Sequence, residues 1–285
     1  MQAIMTFRKF ILLLALLAFL LPVPSFGLES MDMAMPHHAK ESGQKAVANT
    51  IKLELIPAGN LGAGKSTKVM AKLSRIADGS PVRLRDLKVA HTKKLHLLIV
   101  DPSLTDYHHI HPMAGKRPGE FVFDFVPLKN DSYRIWADIV PVATGKQEFV
   151  TADMGNAAKR KAEVDKQVST RALVQGYDFK LTLENEPKAG EAVMGAILVS
   201  DKAGSPFTQL EPVMGAFAHV VGFEDDYATI MHIHPMGKEP QNDKERGGPE
   251  LKFHLEPKSA GFIKLFAQVR INGKDIFVPF GIVVK

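Results

Sequence analysis

His108-His109-Ile110-His111-Pro112-Met113 returns later in the chain as Met231-His232-Ile233-His234-Pro235-Met236. Thirteen residues before the first His-x-His stands His96, in Lys94-Leu95-His96-Leu97-Leu98-Ile99-Val100. Thirteen before the second stands His219, in Phe217-Ala218-His219-Val220-Val221-Gly222-Phe223. The offset is 123 throughout, and it maps His91 onto Met214 and Met113 onto Met236. A spacing kept without a gap across a duplication predicts paired strands that hold a fixed geometry. Internal repetition is therefore the first fact about the fold.

The repeat extends outward on both sides. Ile51-Lys52-Leu53-Glu54-Leu55 alternates and is answered by Phe179-Lys180-Leu181-Thr182-Leu183. Gly79-Ser80-Pro81 is answered by Gly204-Ser205-Pro206. Beyond the histidines, Glu120 to Pro127 is answered by Glu250 to Pro257 at an offset of 130. That places a seven-residue insertion in the polar loop from Lys238 to Gly248. Ile135-Trp136-Ala137-Asp138-Ile139 is answered by Leu265-Phe266-Ala267-Gln268-Val269, with Trp136 and Phe266 expected in the sandwich cores. About seven short alternating strands per half, with turn signals between them, predict an all-β fold of two tandem immunoglobulin-like antiparallel β-sandwiches.

The N-terminus reads differently. Arg8 and Lys9 precede an apolar run from Phe10 to Leu21, then Pro22, Pro24 and Ser25-Phe26-Gly27. This is the pattern of a secretory signal peptide, expected over residues 1–27 and removed after Gly27. The run is too short to span a bilayer, so the mature chain is expected to have no membrane span. Residues 28–47 carry Met31, Met33, Met35, His37 and His38 without apolar periodicity and read as a flexible Met/His-rich tail. Domain 1 is expected over 48–156, a charged linker with a short exposed helix over 157–170, and domain 2 over 171–285.

The chain has no cysteine, which excludes disulfides and thiolate metal sites. Its formal charge of +5 falls to +3 when Arg8 and Lys9 leave. No basic face with interleaved aromatics is legible, so nucleic acid is not an expected partner. A periplasmic or secreted location is expected.

In a strand, residues i and i+2 face the same side, about 6.6 Å apart. His109 and His111 thus project together, as do His232 and His234, while Ile110 and Ile233 point into the opposite layer. If the strand bearing His96 lies alongside, three imidazoles converge, and His219 does the same in the second half. Met113 and Met236 follow the prolines, and His91 and Met214 offer further donors. Imidazole with thioether and no thiolate suits copper, as Cu(I) or Cu(II), with zinc as the alternative. The competing reading of the same residues is structural: His96 sits in a strand apolar on both faces, and imidazoles can staple loops through backbone hydrogen bonds.

Glu211-Pro212-Val213-Met214-Gly215-Ala216-Phe217-Ala218-His219, then His232-Ile233-His234-Pro235, then Val278-Pro279-Phe280, resembles a family of exported bacterial immunoglobulin-like domains. Its pattern is Met-Gly-x-x-Ala-His, His-x-His-Pro and a closing Pro-Phe strand. That family is grouped with the YtkA-like and CopC-like copper-associated β-sandwiches. The resemblance covers residues 178–285 well and 51–156 more loosely, where His91-Thr92 replaces Met-Gly. The CopC-like branch uses a histidine at the mature N-terminus, where this chain has Leu28, so that Cu(II) site does not carry over. The resemblance implies the sandwich fold and a metal role.

No catalytic set is legible. There is no Gly-x-Ser-x-Gly elbow, and the glutamate expected at cupin spacing is missing. The expected function is that of a non-enzymatic exported protein binding copper for tolerance or delivery, with another exported metal-handling protein as a possible partner. The alternative is an immunoglobulin-like interaction scaffold whose histidines are structural.

Overall fold

The structure, a computed structural model, describes residues 48–155 and 163–285, with only the backbone of His232 and His234. The expected signal peptide and Met/His-rich tail lie outside the described residues, as does part of the expected linker. The described remainder of that linker, residues 163–170, contains no helix.

The first half is built from β1 (Ile51–Pro57), β2 (Thr67–Arg75), β3 (His96–Val100), β4 (Tyr107–Ile110), β5 (Met113–Ala114), β6 (Glu120–Phe125), β7 (Tyr133–Ile139) and β8 (Glu148–Met154). The second half holds β9 (Arg171–Val174), β10 (Tyr177–Leu183), β11 (Val193–Ser200), β12 (His219–Glu224), β13 (Ile230–Pro235), β14 (Glu250–Leu255), β15 (Gly261–Ile271) and β16 (Lys274–Val284). The first half has two four-stranded antiparallel sheets, ordered β1-β2-β6-β5 and β4-β3-β7-β8. This is the immunoglobulin arrangement with one additional strand beside the sheet of three. In the second half β13 runs continuously from one layer into the other, pairing with β12 through Ile230–Ile233 and with β14 through His234 and Pro235. Its eight strands therefore form one hydrogen-bonded set, ordered β16-β15-β12-β13-β14-β11-β10-β9.

Alternation explains each core. Leu53, Val69, Ala71, Leu73, Phe121 and Phe123 face inward in the first half, and Phe179, Leu181, Ile197, Phe253 and Phe280 do so in the second. The turn before β3 and the turn before β12 share one conformation. His91 and Thr92 lie at φ 46° and 67°, and Met214 and Gly215 at 52° and 81°. Two successive residues of positive φ make the tight reversal that closes Ala90 onto Lys93 and Val213 onto Ala216.

Residues 48–285 form one compact unit because a third apolar cluster joins the halves. β3 is buried on both faces. Leu97 and Ile99 enter its own sandwich, while Leu98 and Val100 meet Val221, Phe223 and Phe266 of the other half. Trp136 and Phe266 belong to this joint, not to the sandwich cores expected for them. The sequence shows each half as a sandwich but not that the outer face of one covers the other. Tyr107 stacks on Phe266 at 4.8 Å and meets Phe223 edge-on at 5.4 Å. Arg134 Nη1 donates to the carbonyl of Tyr227 at 2.6 Å, and the Tyr227 hydroxyl donates to the carbonyl of Val100 at 3.1 Å.

Candidate metal centre

The first-half histidines owe their place to strand parity. β3 and β4 pair antiparallel with Leu98 opposite His109 and Leu97 opposite Ile110. His96, Leu98 and Val100 then share the outer face with Tyr107 and His109, while His108 and Ile110 turn to their own core. His108 packs edge-on to Phe125 at 4.9 Å and reaches Asp106 at 2.8 Å. His111 follows the end of β4, where Pro112 stops further pairing.

Three imidazoles meet at that point. His96 Nδ1 is 3.1 Å from His109 Nε2 and 3.0 Å from His111 Nε2. One nitrogen from each ring lies within 4.8 Å of the others, so the group could hold a metal ion. Bonds of about 2.0–2.1 Å to a tetrahedral ion would set such nitrogens about 3.3 Å apart, so the fit needs only a small opening.

Two of the outer nitrogens are tied down. His96 Nε2 is 2.9 Å from the carbonyl of Ala90, which can only accept, so that nitrogen carries the proton. His109 Nδ1 is 2.9 Å from Gln268 Oε1. The Gln268 amide is oriented in turn, because its Nε2 donates to Asp275 Oδ2 at 2.9 Å. The neutral rings of His96 and His109 therefore turn lone pairs towards each other, as ligands oriented by outer hydrogen bonds do. Burial pushes the His109 pKa well below the ordinary imidazole value, and the neighbouring His96 and His111 push it further. Burial also lowers His111, to about 4, with His96 and Lys93 adding to it. All of this favours neutral imidazoles, the form that binds metal.

Gln268 and Asp275 come from the second half, on β15 and β16. Sequence reasoning did not find them; their one signal is that Gln268 repeats the position of Asp138. Both lie opposite a histidine, His219 with Gln268 and His96 with Asp138. His219 is buried to the same degree as His96, at 2% exposure each. Its Nε2 is 3.1 Å from the carbonyl of Val213, the counterpart of Ala90. His91 brings its ring to 5.2 Å from that of His219 and 6.3 Å from that of His96. His232 lies opposite Val221 in register, as His109 lies opposite Leu98, and His234 opposite His254.

The methionines stand differently. Met113 begins β5 in the other sheet and is 69% exposed, and Met236 is 42% exposed. Met214 and Met236 line one cavity of about 530 Å³ with His91. A second, polar cavity of about 730 Å³ reaches His109 and His111, with Lys93, Asp243, Arg270 and Asp275 in its wall. No helix among the described residues is long and apolar enough to cross a membrane.

Among known proteins, a family profile described as a domain of unknown function (DUF8832) matches residues 45–157 and again 172–285. No curated protein matches. Among solved structures, trypsin-activated alpha-2-macroglobulin from Escherichia coli covers 82% of this chain at 13% identity, with a TM-score of 0.25. A beta-glycosidase from Bacteroides vulgatus covers 83% at 13% identity, TM-score 0.24, and the D00-D0 domain of intimin 82% at 10%, TM-score 0.23. The chain spans 15% of the first, 25% of the second and 99% of the third. Two tandem matches over most of the chain place it plainly: the protein belongs to the DUF8832 family and carries its domain twice.

Proposed function

We propose that the protein is an exported, non-enzymatic metal-binding protein that holds copper at His96, His109 and His111 for tolerance or delivery, as the copper-associated sandwiches it resembles would. One observation carries the reading. Two imidazole nitrogens whose outer partners fix their protons elsewhere face each other at 3.1 Å. Two lone pairs at that distance repel, and a cation between them turns the repulsion into two bonds. The polar cavity that reaches His109 and His111 offers a path for the ion to leave towards another exported metal-handling protein.

Titrating the full chain with copper, against zinc as competitor, tests this. Binding at the triad should disappear in a His109→Ala/His111→Ala double variant whose metal-free melting stays cooperative. The tie from His96 Nε2 to Ala90 favours a second reading, in which the rings staple the turn before β3 and the sandwiches serve as a scaffold. In that case the double variant should melt lower by the same amount with or without copper.

A further inference from the structure

We infer that His91 of the first half and His219 of the second form part of a second metal position, across the joint between the domains and beside the first. This rests on the triad being a metal site and extends it.

Imidazoles sharing a tetrahedral ion at about 2.0–2.1 Å hold their ring centres about 5 Å apart. The triad shows this spacing, at 5.3, 4.8 and 4.9 Å. His91 and His219 repeat it at 5.2 Å with planes at 81°, although they come from different domains. Their setting repeats it too. His219 and His96 each have Nε2 against the carbonyl six residues earlier, at 3.1 and 2.9 Å, which turns Nδ1 of both rings inward. The register of β13 sets the backbone of His232 opposite Val221, as His109 lies opposite Leu98 in the first half.

His91 breaks the duplication in an instructive way. The second half has Met-Gly in this turn, and the first has His-Thr in the same backbone conformation. Two non-glycine residues at positive φ, one of them β-branched, are held there against their steric preference. The turn sits against its counterpart, since a Cβ added at Gly215 would lie 3.4 Å from Thr92 Cγ2. His91 thereby reaches His219, while Met214 of the other turn lines a cavity together with His91. The second position thus takes a first-row ion accepting imidazole, with thioether at hand, and its occupation ties one domain to the other.

Crystals of the full chain grown with copper(II), mapped by anomalous scattering at the copper edge, test this. Two peaks are expected, one bonded to His96, His109 and His111 and the other to His91 and His219. His91 lies on a surface turn, so His91→Ala should fold and should lose the second peak alone. An edge-to-face ring pair occupies the same spacing without metal. A single peak at the triad, or a second peak that persists in His91→Ala, overturns the inference and leaves the first site intact. No peak at the triad overturns the proposed function itself.

Discussion

Gln268 touches no ion in the proposed site, yet it decides which nitrogen of His109 faces inward. Removing such an outer hydrogen bond typically weakens metal affinity about 10–100-fold. Gln268→Ala should therefore lower copper affinity on that scale in a competition titration while the triad itself is unchanged. The pH response follows from the same burial. Above the ordinary value of 6.5, folded and unfolded chains are both neutral at His109 and His111. Below 6.5 the unfolded chain takes up protons that the folded one resists, so stability falls as the pH falls. The His111 share of that loss is complete once the pH has passed about 4, and His109, held well below its ordinary value, adds to the fall in the same direction. Urea unfolding of metal-free protein at pH 7, 5.5 and 4.5 should show this order of midpoints. Copper affinity should fall in the same direction, since a protonated imidazole is no ligand. The His-x-His parity, His96 as third partner and the inward Ile110 and Ile233 were all legible from spacing. Gln268 was not, because a glutamine on a strand has no chemical signature until the opposite domain is in place.

At the scale of elements, the short turns set the geometry. The Ala90–Lys93 turn holds Thr92 at φ 67°, a conformation that glycine adopts freely. Thr92→Gly should raise the melting midpoint, by about 1 kcal/mol of stability, without changing the backbone. Strand positions were readable from alternation: Phe121-Val122-Phe123-Asp124-Phe125 lies within β6, and Tyr133–Ile139 is β7. Charge without glycine or proline fits helix as well as extended chain, so the sequence did not decide the linker. Residues 163–168 run without regular structure to the bridge between Ser169 and Gly281. A carbonyl from Gln167 passes 2.2 Å from where a Cβ on Gly281 would sit, so only glycine admits the chain there.

In the whole molecule, the joint between the domains organises the site. Phe266 packs against Tyr107 and Phe223 in the joint. Phe266→Ala should cost about 3–5 kcal/mol in unfolding stability. It should also weaken copper binding, because loosening the joint frees Gln268 from His109; calorimetric unfolding and a copper titration on one sample check both. By itself the sequence determined the duplication, the two sandwiches, and the strands that carry His96 and His109 with the side to which His109 points. Those follow from periods of two and from an offset repeated without error, which are local properties of the chain. Only the tertiary structure decided that β3 is buried on both faces because the other domain covers it. It alone placed Gln268 and Asp275 behind His109, and His91 against His219. Contacts between residues more than a hundred positions apart depend on which faces pack together, and no periodicity within either half records that choice.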